Sequence, residues 1–196
     1  MVPSISGVIV NESMTHWNEV LLRWCAIVEQ WCRIASPDRP WWHIAIPNAG
    51  LIASAAIASG YAALVESDVP KEGRRGARSD LWIQFSRQDE KGAAEEFVEL
   101  KRSALSDGRI ELGPLDQAMN DAAIICWNCR AKIGACIYHV NGGGDGSFLR
   151  RLVDEVSSKT QADAVAWIFP GHFINAPHDG KIAPGMILAL KIAKKQ

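Results

Sequence analysis

Two acids and an amine stand at the ends of two short apolar runs in this chain. Asp80 precedes Leu81-Trp82-Ile83, and Phe97-Val98 is followed by Glu99, Leu100 and Lys101. On a strand, residues two apart share a face, so Glu99 and Lys101 project side by side. Pairing the two runs as antiparallel neighbours brings Asp80 towards Glu99. Two carboxylates and one amine then converge at a sheet edge. Carboxylates on one surface repel unless a divalent cation sits between them or one keeps its proton. An amine beside such a cation can orient a water or neutralise charge building up on a phosphate.

Residues with these tasks need helices and strands to hold them, and the flanking sequence predicts both. Pro47-Asn48 opens a helix with Asn48 as N-cap, and Gly60 is placed to close it. Its small and aliphatic body predicts tight packing against a sheet. Tyr61 to Val65 reads as a strand ending at Glu66. Residues 67–79 connect it to Asp80 and carry Lys71, Arg74, Arg75 and Arg78, either a local phosphate-binding patch or a solvated loop. Ser86 to Glu95 is a polar turn. After Arg102 a loop passes through Asp107-Gly108, and Pro114 suits the first turn of a helix to about Cys129, with Leu115, Met119, Ala122 and Cys126 on its apolar face. Gln117 and Asp121 lie four apart on another face. Residues 132–140 read as a strand, 141–146 as a glycine-rich turn before a helix that Ser147 caps, and Ala164 to Phe169 as a further strand. That strand–helix–strand succession predicts a parallel pair in a mixed sheet. A Gly/Pro/His loop over 170–185 leads to a last strand, Met186 to Ile192.

Ser79-Asp80 and Glu99-Leu100-Lys101, with eighteen residues between the two acids, resemble the PD-(D/E)xK nuclease superfamily, the restriction-endonuclease-like fold that includes the Holliday junction resolvases. The resemblance covers about Asn48 to Val140. It implies a magnesium- or manganese-dependent nuclease acting on DNA. Asp80, Glu99 and the Leu100 carbonyl would bind the metal, Lys101 would assist the attacking water, and Arg75, Arg78 and Arg102 would grip phosphate. Many members carry a further metal-binding glutamate in the helix before the first strand. Residues 48–60 contain no acid, and Asn48 stands about where that glutamate is expected. Glu66 is either its substitute, facing Asp80, or a solvated carboxylate at a loop edge. Gln117 is carried as a secondary candidate, because members often place a polar residue on this helix near the metal.

The N-terminal part reads as a helix over 12–35, in which Trp17, Val20, Leu21, Trp24, Val28 and Trp31 form one apolar stripe. Pro37 and Pro40 end it, and Ile44-Ala45-Ile46 is an added strand or irregular. The expectation is one domain over 1–196: an N-terminal helical extension (12–46), a nuclease-like core (47–140) and a C-terminal helix with strands (141–196). Its class is α/β, a mixed central sheet flanked by helices.

A net charge of -1 excludes bulk electrostatic affinity for nucleic acid and leaves only local patches. Eight tryptophans point to a packed core or a subunit interface, as in a homodimer, before base stacking. No apolar run reaches membrane-span length, and the first twenty residues lack a basic start followed by an apolar stretch. The expectation is a cytoplasmic protein with five reduced cysteines. Cys126-x-x-Cys129 with Cys136, and Cys25 or Cys32 as a fourth, resembles the iron–sulfur ligands of RecB-type exonucleases. The third spacing differs, however, and Cys136 falls in a strand, so core thiols are the expectation. His172 and His178 lack a defined third zinc ligand. A second function stands beside the enzyme: a catalytically weakened nuclease-like fold serving as a nucleic-acid-binding or protein-assembly module.

Overall fold

Strands that alternate side chains between two faces need a covering layer on each, and this chain provides helices for both. The computed structural model describes residues 3–36, 38–85, 94–105, 109–174, 177–178 and 181–194. Strand β1 (Ile5–Val10) comes first, then a 3-10 turn at Glu12–Trp17 and helix α1 (Asn18–Ile34). A second 3-10 turn at Pro40–Trp42 leads to α2 (Ala45–Ala58). Next come β2 (Ala62–Asp68), β3 (Arg78–Gln84), β4 (Glu95–Leu105), α3 (Gly113–Ala123), β5 (Ala131–Val140), α4 (Gly146–Thr160) and β6 (Ala164–Phe169). A short hairpin of β7 (Pro177–His178) and β8 (Lys181–Ile182) precedes β9 (Gly185–Ile192). The seven-stranded sheet is ordered β1-β6-β9-β5-β4-β3-β2. Strands β4 and β5 run parallel, and every other neighbouring pair is antiparallel. The mixed sheet flanked by helices is the α/β class that the sequence predicts.

Alternation along the strands separates two cores. Leu81, Ile83, Val98, Leu100, Ile133, Ala135, Leu188 and Leu190 face α1 and α2, where Trp17, Trp24 and Trp41 are fully buried. Leu105, Cys136, Tyr138, Val140, Ile187 and Ala189 face Leu115 of α3 and the Leu149/Leu152/Val153/Val156 stripe of α4. A small cluster of Val69, Phe97 and Ile125, with Trp82 and Cys129 against it, fills the second face beside α3. Trp31, Trp42 and Trp127 are exposed. Among the described residues no helix is long and apolar enough to cross a membrane.

Several elements differ from the sequence expectation, each for a physical reason. The expected helix over 12–35 begins as a 3-10 turn, because i,i+3 spacing eclipses side chains and lets Met14 and Trp17 bury together. Trp17 Nε1 and His16 Nε2 lie 2.6 Å and 2.8 Å from the oxygens of the fully buried Glu96, which moors this turn to β4. Helix α2 has its N-cap at Ile44, four residues before the expected Asn48, and absorbs Ile44-Ala45-Ile46 at its entry. Pro47 is tolerated in the first turn, where its missing N–H has no intrahelical partner to lose. Gly60, at φ +87°, ends that helix as expected, with Tyr61 N–H donating to the Ala56 carbonyl at 3.0 Å. Helix α3 stops at Ala123 and not near Cys129, since Ile124 and Cys126 give their backbone groups to the segment around Pro70. Asp145, in place of Ser147, caps α4 by accepting from the N–H groups of Ser147 and Phe148. Strands β5 and β6 are not the expected parallel neighbours. Strand β9, buried on both faces, inserts between them, and the parallel pair is β4–β5 across α3. The turn expected over 86–95 lies outside the described residues except for Ala94 and Glu95, as do Pro37, Asp107, Gly108 and the side chain of His178.

Candidate functional site

The β3–β4 ladder runs from Gln84↔Glu95 to Leu81↔Val98, and there the strands part. One step beyond the last pair, Asp80 and Glu99 stand on opposite sides of the opening. They share a face, the one that carries Trp82, Phe97 and Lys101 and that α3 covers. Asp80 Oδ2 accepts the Leu100 N–H at 2.7 Å, so the carboxylate fills the ladder position the parting strand leaves empty. Leu100 N–H and C=O point to the same side of an extended strand, which puts its carbonyl on the Asp80 side as well. Ser79 Oγ lies 3.1 Å from both the Leu81 and Val98 carbonyl oxygens and holds the fork from behind.

Glu99 is buried, and Lys71 Nζ donates to its Oε1 at 2.8 Å. Burial pushes the Glu99 carboxyl up. The hydrogen bond and charge of Lys71 oppose that shift, the neighbouring Asp80 adds to it, and Lys101 opposes it. Lys101 Nζ is 2.8 Å from Asp121 Oδ2 on α3, and Arg74 Nη2 approaches Asp121 Oδ1 at 3.4 Å. Three acids and three cations therefore interlock across two strands, a helix and the β2–β3 connector. That connector is fixed: Val69 N–H donates to Ala77 O, Glu72 N–H to Ile124 O at 2.9 Å, and Cys126 N–H to Pro70 O at 2.7 Å. Lys71 bridges both Arg74 and Ile125. Helix α3 can lie close enough for Asp121 to reach Lys101 because residue 134 of β5 is glycine. A Cβ there would meet the Met119 backbone nitrogen at 2.5 Å.

The chain has no significant match among family models, curated proteins or solved structures.

Asp80 and Glu99 stand one step beyond the last β3–β4 pair, on the face that Lys101 shares, and Leu100 N–H bonds the Asp80 carboxylate. Glu66 sits level with Asp80, between the pairs Val65↔Leu81 and Ser67↔Ser79, in a left-handed conformation at φ 54°. Its carboxylate is 3.9 Å from Arg78 Nη1, and Arg78 Nε is 3.3 Å from Asp68 Oδ1. Arg75 is exposed on the connector. Arg102 lies on the opposite face, where its Nη2 donates to the Trp41 carbonyl at 3.3 Å. Asn48 is buried within α2, and its Nδ2 donates to the Pro40, His43 and Ile44 carbonyls instead of capping the helix N-terminus. Gln117 is exposed, and Asp121, one turn further on, is the α3 residue that meets the strand amine. Sequence reasoning named Lys71 and Arg74 only within a patch of four cations and Asp121 only beside Gln117, and placed none of the three at the fork. Asp121 had a signal, its one-turn spacing from Gln117.

Among the described residues no group of three or more His, Cys, Asp and Glu side chains is arranged to hold a metal. The donor set at the fork fits a smaller demand. Asp80 and Glu99 each commit one oxygen to the protein, to Leu100 N–H and to Lys71, and among the described residues the other oxygen of each has no hydrogen-bond partner. Hard cations such as magnesium bind through one or two carboxylates and fill their remaining positions with water and phosphate oxygens. Cys25, Cys32 and Cys136 are buried, and burial pushes each thiol up to about 12. Cys126 is exposed and Cys129 half-buried. His172 Nε2 lies 3.2 Å from the Cys32 carbonyl.

Asp121 makes a pH prediction. Burial raises its pKa, but the hydrogen bond and charge of Lys101, with Arg74 and Lys71, outweigh that and hold it below the ordinary aspartate range. A depressed folded pKa contributes stability that is present above the unfolded pKa and lost as pH falls through the folded one. Urea midpoints measured against pH are expected to fall on the acid limb for the wild type and to fall less for Asp121→Asn. Parallel acid limbs would show that the Lys101–Asp121 pair does not form in solution.

Proposed function

We propose that this protein is a divalent-metal-dependent nuclease of the restriction-endonuclease-like kind, hydrolysing DNA phosphodiester bonds. The observation that carries the reading is the fork, where Asp80 and Glu99 stand across from one another on one side of the sheet, each with one carboxylate oxygen that bonds no described residue. The element order also supports it. A helix precedes β2, β3 and β4, and α3 connects β4 to the parallel β5. Asp80, Glu99 and the Leu100 carbonyl would hold magnesium or manganese, and Glu66, level with Asp80, is a secondary candidate. Such an ion supplies polarisation of a phosphate oxygen and a more acidic bound water. Asp121 positions Lys101, whose side chain remains 28% exposed at the same opening, to meet negative charge on the phosphate. Arg75, exposed on the connector, and Arg78, on the Asp80 face of β3, are the candidates to bind phosphate, and Arg102, on the other face, is assigned no part.

A second reading has its own observation. Asp80, Glu99 and Asp121 are matched in number by Lys71, Lys101 and Arg74, so the site balances its charge without a cation. A weakened nuclease-like fold acting as a nucleic-acid-binding or assembly module fits that balance, and the exposed Trp31, Trp42, Ile34 and Ile44 offer it an apolar surface.

The test is incubation of purified protein with supercoiled plasmid and with single-stranded DNA, in magnesium, manganese or EDTA. Nicking is expected in either metal and not in EDTA, and manganese is expected to raise the melting temperature by binding the folded state alone. Asp80→Ala should lose both effects. DNA or partner binding with no cutting in any metal would hand the site to the module reading.

A further inference from the structure

We propose that Lys71 sets the metal preference of this site by occupying one oxygen of Glu99, so that the carboxylate can offer a cation only the other. The inference rests on the reading of Asp80 and Glu99 as metal ligands.

Carboxylates bind divalent cations through one oxygen or through two, and the choice separates the ions. Calcium takes roughly six to eight oxygens at flexible geometry and readily accepts a two-oxygen carboxylate, whereas magnesium demands a tight octahedron of about six single donors. In this fork both carboxylates are reduced to single donors by the protein itself. Asp80 Oδ2 is tied to the Leu100 N–H, and Glu99 Oε1 is tied to Lys71 Nζ. The two restraints differ in kind. The first is a backbone group that substitution cannot remove. The second is a side chain, and therefore a place where preference can be set.

Lys71 is suited to hold that position. The side chains of Lys71 and Glu99 are 4% and 5% exposed, so water has little access to replace the ammonium. The backbone bonds from Pro70 and Glu72 to Cys126 and Ile124 tie the connector down, and the Lys71↔Ile125 bridge adds to them. Those links fix the backbone from which the Lys71 side chain reaches Glu99. Lys101 cannot substitute, because its ammonium is on Asp121 Oδ2. Lys71 thus acts through Glu99 as a positioning residue, with no contact to substrate required.

Removing Lys71 frees Oε1 and lets Glu99 bind with both oxygens, which favours the larger ion. It also removes a positive charge, which changes affinity for every divalent cation. The ratio of calcium to magnesium affinity cancels that common effect and isolates the geometric one. Calorimetric titrations of magnesium and of calcium into the wild type, Lys71→Met and Lys71→Arg provide the test. Asp80→Ala defines binding at this site, and melting in EDTA confirms folding. The calcium-to-magnesium affinity ratio is expected to rise by about tenfold or more in Lys71→Met. It should stay near the wild-type value in Lys71→Arg, whose guanidinium still donates to Oε1. If Lys71→Met does not fold, Lys71→Gln carries the same comparison, since its amide stops one bond short of the ammonium position. An unchanged ratio together with Asp80-dependent binding overturns the role of Lys71 and leaves the ligands standing. No Asp80-dependent heat with either metal in the wild type overturns the ligand reading, and this inference with it.

Discussion

Lys101→Met is expected to cut DNA about a hundredfold or more slowly than the wild type while binding both DNA and metal nearly as well. Asp80 and Glu99 cannot provide so clean a result, because loss of either removes a ligand as well as any chemical contribution. Lys101 donates no oxygen to a cation. Asp121 holds its ammonium at 2.8 Å, so its position is fixed before substrate arrives. Preorganised charge of this kind acts most strongly where negative charge develops on the reacting phosphate, and therefore on the chemical step more than on binding. Methionine keeps the length and apolar body of the side chain and removes only the charge. Asp121 keeps Arg74 as a partner in the variant, at 3.4 Å, which limits the disturbance to α3. The measurements are single-turnover cleavage, DNA affinity under metal that does not support cutting, and the manganese shift in melting temperature. A variant that cleaves at the wild-type rate removes Lys101 from the mechanism even if the metal site stands.

The two halves of the site were unequally legible in the sequence. Asp80, Glu99 and Lys101 could be read because strand periodicity is local: Glu99 and Lys101 must share a face once 97–101 is extended, and antiparallel pairing of two short apolar runs brings Asp80 to the same edge. Lys71 and Arg74 could not be singled out from Arg75 and Arg78. Which of four neighbouring cations turns inward is decided by backbone bonds between residues 70–72 and 124–126, a contact across some fifty residues with no periodic signature. The choice between Gln117 and Asp121 depends on how α3 is rotated and how closely it sits on the sheet. That in turn depends on the bare Cα of Gly134 against Met119, on another element. The same limit explains the sheet order. Strands β5, β6 and β9 were each readable as apolar runs, but no local pattern says that β9 returns to lie between the other two. Arg102 illustrates the converse. It adjoins Lys101 in sequence and so, by strand alternation, points to the opposite face.

The buried pair beneath the fork carries the largest stability effect, and it can be measured without any metal. Breaking a buried ion pair by removing one partner typically costs about 3–5 kcal/mol, because the remaining charge has neither partner nor water. Neutralisation limits that cost. At pH 7 a stranded glutamate can take up a proton for about 3.7 kcal/mol from an ordinary pKa near 4.3, and a stranded lysine can give one up for about 4.6 kcal/mol from one near 10.4. Asp80 breaks the symmetry between the partners. It repels Glu99 when Lys71 is gone but compensates Lys71 when Glu99 is gone. Lys71→Met is therefore expected to lie near its ceiling and Glu99→Met below its own. The double variant, with methionine at both positions, should be more stable than Lys71→Met, because no charge is left alone. Urea unfolding in EDTA of the wild type, both single variants and the double variant closes the cycle. The pH dependence adds an independent check. Burial already raises Glu99 in the wild type, and Lys71→Met removes the main opposing cause, so the folded pKa rises further and stability is lost as pH rises through that wider interval and regained as pH falls. The cost of Lys71→Met should accordingly shrink as pH falls from 7 towards 5, by up to about 1.4 kcal/mol per unit and by less where wild-type Glu99 also takes up its proton. Single-variant losses that simply add in the double variant, within about 0.5 kcal/mol, would mean that the two side chains do not form the pair in solution.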